Sequence, residues 1–283
     1  ITKNGLIIQS LKGPNDTLVN GTFTISADDV TLEGLHIKAP NKHTATPVVH
    51  MIGANNVNIL NNKVKVNYQL TGQPAIGTST GPAKVTGIIK GNNVEGAIGV
   101  GTDGKLEVSN NTVTGANTEG IWFYPLGATA ELVIKNNVVT GEGEGSSQIK
   151  VVTKPTSING KTTDDAMYKA ILNNNKKIST VKFDWVVTEN IQDAIDQAAE
   201  NSTLLIGPGE YTENLTITKG GITLKSLLGV DSVVINGTIE IKSNNVTIEA
   251  LTVRALEGYV GIPTIHMIGA NNVNILNNKV KVN

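Results

Sequence analysis

HMIGANNVNILNNKVKVN runs from His50 to Asn67 and runs again, unchanged, from His266 to Asn283. Within it, VNILNNKV (Val57–Val64) places apolar side chains at Val57, Ile59 and Val64, with an Asn-Asn pair between the last two. Alternation at period two is the signature of a strand with one buried face. Asparagine and glycine tolerate the left-handed backbone of sharp bends, so the pair turns the chain without ending the sheet. The same frame starts at Val30 (VTLEGLHI), Leu106 (LEVSNNTV), Leu132 (LVIKNNVV) and Val246 (VTIEALTV), with a less regular match near Val85. A strand-bend-strand element repeating at this interval predicts a parallel β-solenoid: coils stacked about 4.8 Å apart, aliphatic side chains piled inside and asparagine ladders at the corners.

A longer period contains the shorter one. Residues 1–67 align with residues 217–283 at an offset of 216 without a gap, as in GTFTISADDVTLEGLHIKA (Gly21–Ala39) against GTIEIKSNNVTIEALTVRA (Gly237–Ala255). Similarity at a fixed period indicates tandem repetition. The chain reads as a window on a longer array: 1–160 as the later part of one unit, 161–187 as a capping helix and linker, and 188–283 as the opening of the next.

Composition agrees. The 283 residues include 33 Asn and 30 Gly, with 4% aromatics and no cysteine. Disulfides and thiolate metal sites are therefore excluded. Charge is balanced, 23 basic against 24 acidic residues, with Arg254 the sole arginine. Neither nucleic-acid binding nor membrane insertion is indicated by that balance or by any apolar run.

ENIQDAIDQAAENSTLLIGPGEYTENLTITKGGITLKS (Glu189–Ser226) resembles the opening of right-handed parallel β-helix proteins of the pectin-lyase-like superfamily. The resemblance implies an amphipathic helix capping the first coil, then a strand, a Gly-Pro-Gly turn and the first full rung. The residues agree: Ile191, Ala194, Ile195, Ala198 and Ala199 form one apolar stripe at helical spacing, with Thr188 as N-cap. The expected fold class is thus all-β, a right-handed parallel β-helix with short capping α-helices. A second helix is expected over Thr162–Ile178, capped by Thr163, followed by an extended segment that packs Trp185 into a closing element.

The resemblance implies polysaccharide lyase or hydrolase chemistry as a candidate activity, which needs clustered carboxylates. The densest carboxylate group is Asp28, Asp29 and Glu33, matched by Asn244, Asn245 and Glu249 in the second copy. Aspartate and asparagine share a preference for bends, so the interchange points to a turn role over a calcium site. No catalytic residue and no metal ligand is assigned, and no cofactor is expected; calcium, the superfamily's common ion, lacks a ligand set in the sequence. His50 and His266 read as packed or solvated strand histidines, and GEGEG (Gly141–Gly145) lacks calcium-loop ligand density. GIWFYP (Gly120–Pro125) alternates so that Ile121 and Phe123 suit the core while Trp122 and Tyr124 face outward, where either a long loop packs back over them or they are open to stack on a sugar or on a partner.

These features favour a non-catalytic structural or adhesive repeat at the cell surface of a bacterium, a stalk, filament or surface-layer element. Its expected partners are other copies of itself, head to tail or lateral, and cell-wall or environmental polysaccharide. The competing expectation is a carbohydrate-active or carbohydrate-binding β-helix using Trp122, Tyr124 and the Asp28, Asp29 and Glu33 region.

Overall fold

A computed structural model describes residues 1–40, 46–66, 74–78, 85–114, 120–135, 137–140, 149–168, 190–198, 200–256, 258 and 261–282, with backbone alone at 124, 125, 140 and 197. The chain divides into two compact units, the first holding Ile1–Ile158 and the second beginning at Asn159.

Each full coil of the first unit contributes one short strand to each of three sheets. The first sheet orders Ile7–Gln9, Thr31–Glu33, Val57–Leu60, Gly87–Lys90, Lys105–Ser109, Glu131–Lys135 and Ser157–Ile158. The second orders Leu18–Asn20, His36–Lys38, Lys63–Lys65, Asn93–Glu95, Thr112–Thr114 and Val138–Thr140. The third orders Phe23–Ile25, Val49–Met51, Ile76–Thr78, Ile98–Thr102, Ile121–Leu126 and Ile149–Val151. Every pairing among these strands is parallel, and a strand's neighbours come from the coil before and the coil after. This is a parallel β-solenoid.

Register explains the core. Leu32, Ile59, Ile89, Val108 and Ile134 are successive partners in the first sheet, and all are fully buried. Ile37, Val64, Val94, Val113 and Val139 do the same in the second sheet. Val49, Ile76, Ile98, Ile121 and Ile149 continue it in the third. Burying each such side chain contributes roughly 1.5–3 kcal/mol, so the columns dominate the favourable terms.

The corner between the first and second sheets is held by polar side chains. The Asn62, Asn92, Asn111 and Asn137 side chains are buried and form a ladder. The Asn62, Asn92 and Asn111 amides donate to the Oδ1 of Asn92, Asn111 and Asn137, at 3.2, 2.9 and 3.0 Å. Each amide of the ladder also donates to a first-sheet carbonyl, those of Leu32, Ile59, Ile89 and Val108. Buried amides are thereby satisfied, which an apolar corner would not achieve for the bend's own N–H groups.

The second unit repeats the design with sheets of four, four and three strands, starting at Thr203–Ile206, Gly209–Tyr211 and Leu215–Ile217. A helix, Ile191–Gln197, precedes them, with Ile191, Ala194, Ile195 and Ala198 buried. Its N-cap is Asn190, whose Oδ1 accepts from Asp193 N–H at 2.8 Å; the expected cap, Thr188, lies outside the described residues, as does Ala199. A helical turn from Asp165 to Tyr168 is capped by Asp164, which accepts from Met167 N–H at 2.7 Å, and not by Thr163, whose hydroxyl is buried. Ile171–Ile178, Trp185 and Gly141–Gly145 lie outside the described residues. Gly207-Pro208 forms the expected corner, but Gly209–Tyr211 is already a second-sheet strand; buried Tyr211 donates its hydroxyl to the Gly207 carbonyl at 2.8 Å. Burial, and then Glu213, push that phenol up to about 12. Among the described residues no helix is long and apolar enough to cross a membrane.

The corner residues before Asn62, Asn92 and Asn111 are left-handed, Asn61 (φ 54°), Gly91 (φ 69°) and Asn110 (φ 54°), as are those at the same corner of other coils, Gly34 (φ 64°) and, in the second unit, Ala250 (φ 56°) and Asn277 (φ 54°). Ala250 is the exception in residue type, and its Cβ costs roughly 1 kcal/mol there. Ala250→Gly is expected to raise the second unit's stability by about 0.5–1 kcal/mol, read as a higher urea midpoint. An unchanged or lower midpoint would show that this corner is not strained.

Candidate functional site

Asp28 and Asp29 precede the strand Thr31–Glu33 at the corner that closes each coil. Their carboxylates face the next coil. Asp28 Oδ1 accepts from Asn55 N–H at 2.7 Å and from Asn55 Nδ2 at 3.2 Å, and Asp29 Oδ1 accepts from Asn56 Nδ2 at 2.8 Å. Asp29 is left-handed, with φ 57°. In the second copy Asn244 Oδ1 accepts from Asn271 N–H at 2.7 Å, Asn245 Oδ1 accepts from Asn272 Nδ2 at 2.7 Å, and Asn245 has φ 59°. A neutral amide and a carboxylate do the same work at the same corner. Glu33 stands apart on the outer face of the first sheet, where Asn61 Nδ2 approaches it at 3.4 Å; its counterpart Glu249 pairs with Lys225 at 2.8 Å. Among the described residues no group of three His, Cys, Asp or Glu side chains is placed to hold a metal ion.

The interchange predicts a small effect. Asp29→Asn is expected to change stability by less than about 0.5 kcal/mol, since Oδ1 of the amide keeps the bond to Asn56. Calcium is expected to leave the melting temperature of both proteins unmoved. A calcium-dependent rise in the native protein that the variant loses would contradict the turn role.

Trp122 lies on the third sheet, in an outward file that runs Thr24, His50, Gly77, Gly99, Trp122, Lys150 by register. Its flanking residues Ile121 and Phe123 are fully buried, as alternation predicts. The two glycines make room for what covers them. A methyl at Gly99 would lie 2.3 Å from Trp122 Cε2 and 2.4 Å from Cζ2, so the indole rests on the Gly99 backbone. A methyl at Gly77 would lie 2.4 Å from Pro74 Cγ and 3.1 Å from Pro47 Cγ. Pro47, Pro74 and His50 are buried, and burial holds the His50 imidazole below its usual value. Trp122 is therefore half-buried, one face spent on glycine, rather than a freely exposed platform.

The alternation that grouped Trp122 with Tyr124 does not carry through. Val100 pairs with Phe123 but Thr102 pairs with Leu126, so an extra residue bulges the strand at Tyr124-Pro125. A bulge re-aims what it contains. The Tyr124 side chain lies outside the described residues. The sequence reading missed Gly77, Gly99, Pro47 and Pro74; the available signal was a glycine at the outward position of both IGT (Ile76–Thr78) and IGV (Ile98–Val100). The Asp28 corner and the Trp122 file belong to different parts of the coil, with the carboxylates bound to asparagines and the indole to glycine.

No family model, no curated protein and no solved structure matches the chain.

Proposed function

We propose that the chain is part of a right-handed, pectin-lyase-like β-helix array that serves as a non-catalytic structural or adhesive element at a bacterial cell surface. One observation carries this reading: the same coil is built twice, 216 residues apart, with carboxylates replaced by amides and the geometry kept. Selection for a shape tolerates that exchange, while selection for a general acid, a base or a calcium ligand does not. Solenoids derive stability from nearest-neighbour coil interfaces, which suits a repeating rod-forming module. Copies associate with one another, head to tail or laterally, in this proposal. Light scattering across a dilution series tests that association; a strictly monomeric particle at high concentration counts against it.

A second reading, carbohydrate binding or cleavage, is favoured by one feature, the partly exposed indole of Trp122 on the outer file. Incubation with polygalacturonate and calcium separates the two. The structural reading predicts no release of unsaturated or reducing ends. Turnover that Glu33→Ala abolishes would overturn it.

A further inference from the structure

The outward file of the third sheet places His50 between Thr24 on the coil before and Gly77 on the coil after. Over Gly77 lies a cover of two prolines: a methyl there would meet Pro74 Cγ at 2.4 Å and Pro47 Cγ at 3.1 Å. One rung on, a methyl at Gly99 would meet the Trp122 indole at 2.3 Å. Rungs are about 4.8 Å apart, so the prolines and the indole form one apolar layer outside the sheet, with His50 at its edge. Both prolines are buried, and His50 is only 9% exposed. Backbone bonds tie the layer down. Ala75 N–H donates to the Ala97 carbonyl at 2.7 Å, Val49 N–H to the Ala75 carbonyl at 2.9 Å and Phe23 N–H to the Val48 carbonyl at 2.8 Å.

His50 is the only titratable side chain of that file between Thr24 and Trp122. The groups around it do not favour an imidazolium. Among the described residues Thr24, Gly77, Pro47 and Pro74 carry no charge. The amino-terminal ammonium donates to the Thr24 carbonyl, and Lys150 stands on the same file four rungs away; both are cations. In the second copy a carboxylate takes the place of Thr24, and His266 faces Glu240. The identical histidine therefore meets a hydroxyl in one unit and an anion in the other.

We propose that His50 makes the proline layer an acid-sensitive latch: its protonation below neutral pH lifts the Pro47 and Pro74 segments from the third sheet and uncovers Gly77 beside the Trp122 indole. A charged ring under an apolar cover lacks the water that it gains when the cover lifts. Burial accordingly holds the His50 imidazole below its ordinary value. The sign follows by linkage. The closed layer is fully favoured above about 6.5, the value of a free imidazole, and that preference is lost progressively as pH falls below it. The latch goes beyond the structural role and does not depend on it.

The test is amide exchange of the whole chain, native against His50→Gln, at about pH 7.5 and about pH 5.5. The native-to-variant ratio of rates cancels the intrinsic pH dependence of exchange, the other histidines and any pH-independent change in stability. Ala75, whose N–H is released when Pro74 lifts, is expected to exchange about tenfold or more faster than Val94 and Val113 of the second sheet. Its native-to-variant ratio is expected to rise about threefold or more on acidification, while the ratio at Ile7–Gln9, which open elsewhere, stays level. Thr24→Glu, which sets a carboxylate opposite His50 as Glu240 is set opposite His266, is expected to remove most of the rise. A ratio at Ala75 that ignores pH, a rise that Thr24→Glu leaves intact, or exchange at Ala75 no faster than at Val94 and Val113 would each overturn the latch. None of these outcomes touches the structural reading, which the turnover assay tests.

Discussion

Asn92→Ala is expected to lower the stability of the first unit by about 3–5 kcal/mol, read as a shift of the urea midpoint at constant slope. The Asn92 side chain makes four bonds in a fully enclosed corner. Its amide donates to the Ile59 carbonyl at 2.8 Å and to Asn111 Oδ1 at 2.9 Å, and its Oδ1 accepts from Asn62 N–H at 2.9 Å and Asn62 Nδ2 at 3.2 Å. Alanine leaves the Asn62 donors and the Ile59 carbonyl buried without these partners, each at a cost of about 1–3 kcal/mol. The outward Asn58, whose amide reaches Thr31 at 3.4 Å, is the control, and Asn58→Ala is expected to cost less than about 0.5 kcal/mol. Equal effects at the two positions would mean that the ladder does not hold the coils together.

Gly99→Ala is expected to cost about 2–3 kcal/mol, the range of an overpacked site, because its methyl would enter the Trp122 indole at 2.3 Å. Trp122→Ala removes the obstacle. The double variant is therefore expected to be less destabilised than the sum of the single ones by about 1 kcal/mol or more. The cycle reads where the indole lies in solution. Additive effects would place Trp122 away from the sheet, as a free aromatic open to a sugar, and would favour the carbohydrate reading.

Most of the fold was legible because stacking repeats one physical problem coil after coil. Val57, Ile59 and Val64 announced a buried column by alternation, and the Asn-Asn pairs announced the corner; the buried ladder of Asn62, Asn92, Asn111 and Asn137 is what those pairs form. The coil between Val57 and Leu106 was the hard one. Its first-sheet strand begins at Gly87, not Val85, and Gly87 takes the inward position that Val57 and Leu106 fill in the neighbouring coils. The reason is close approach: with φ 138°, a methyl there would lie 2.0 Å from the Val57 carbonyl oxygen, so the glycine that interrupts the pattern is required by it.

The caps and the site were less legible. Asn190 and Asp164 cap where a hydroxyl was expected at Thr188 and Thr163, a difference of one or two residues that propensity does not resolve. Asp28 and Asp29 were readable as turn residues only because the second copy writes Asn244 and Asn245 in their place. The Trp122 environment depends on which outward residues of three successive coils lie in file, and register of that precision is not present in a single strand's alternation. The bulge at Tyr124-Pro125 has no local pattern beyond the proline itself.

The central claim is that in-register parallel coils, sealed by aliphatic columns and an asparagine ladder, are what the sequence encodes. Residue-resolved hydrogen exchange of the whole chain tests it most directly. The slowest amides are predicted at Ile59, Val64, Ile89, Val94, Val108 and Val113, in central coils of the first unit, with the side-chain amides of Asn62, Asn92 and Asn111 protected beside them and Ile7–Gln9 exchanging faster. Protection that ignores this order, or asparagine side chains exchanging at the rate of exposed amides, would contradict it.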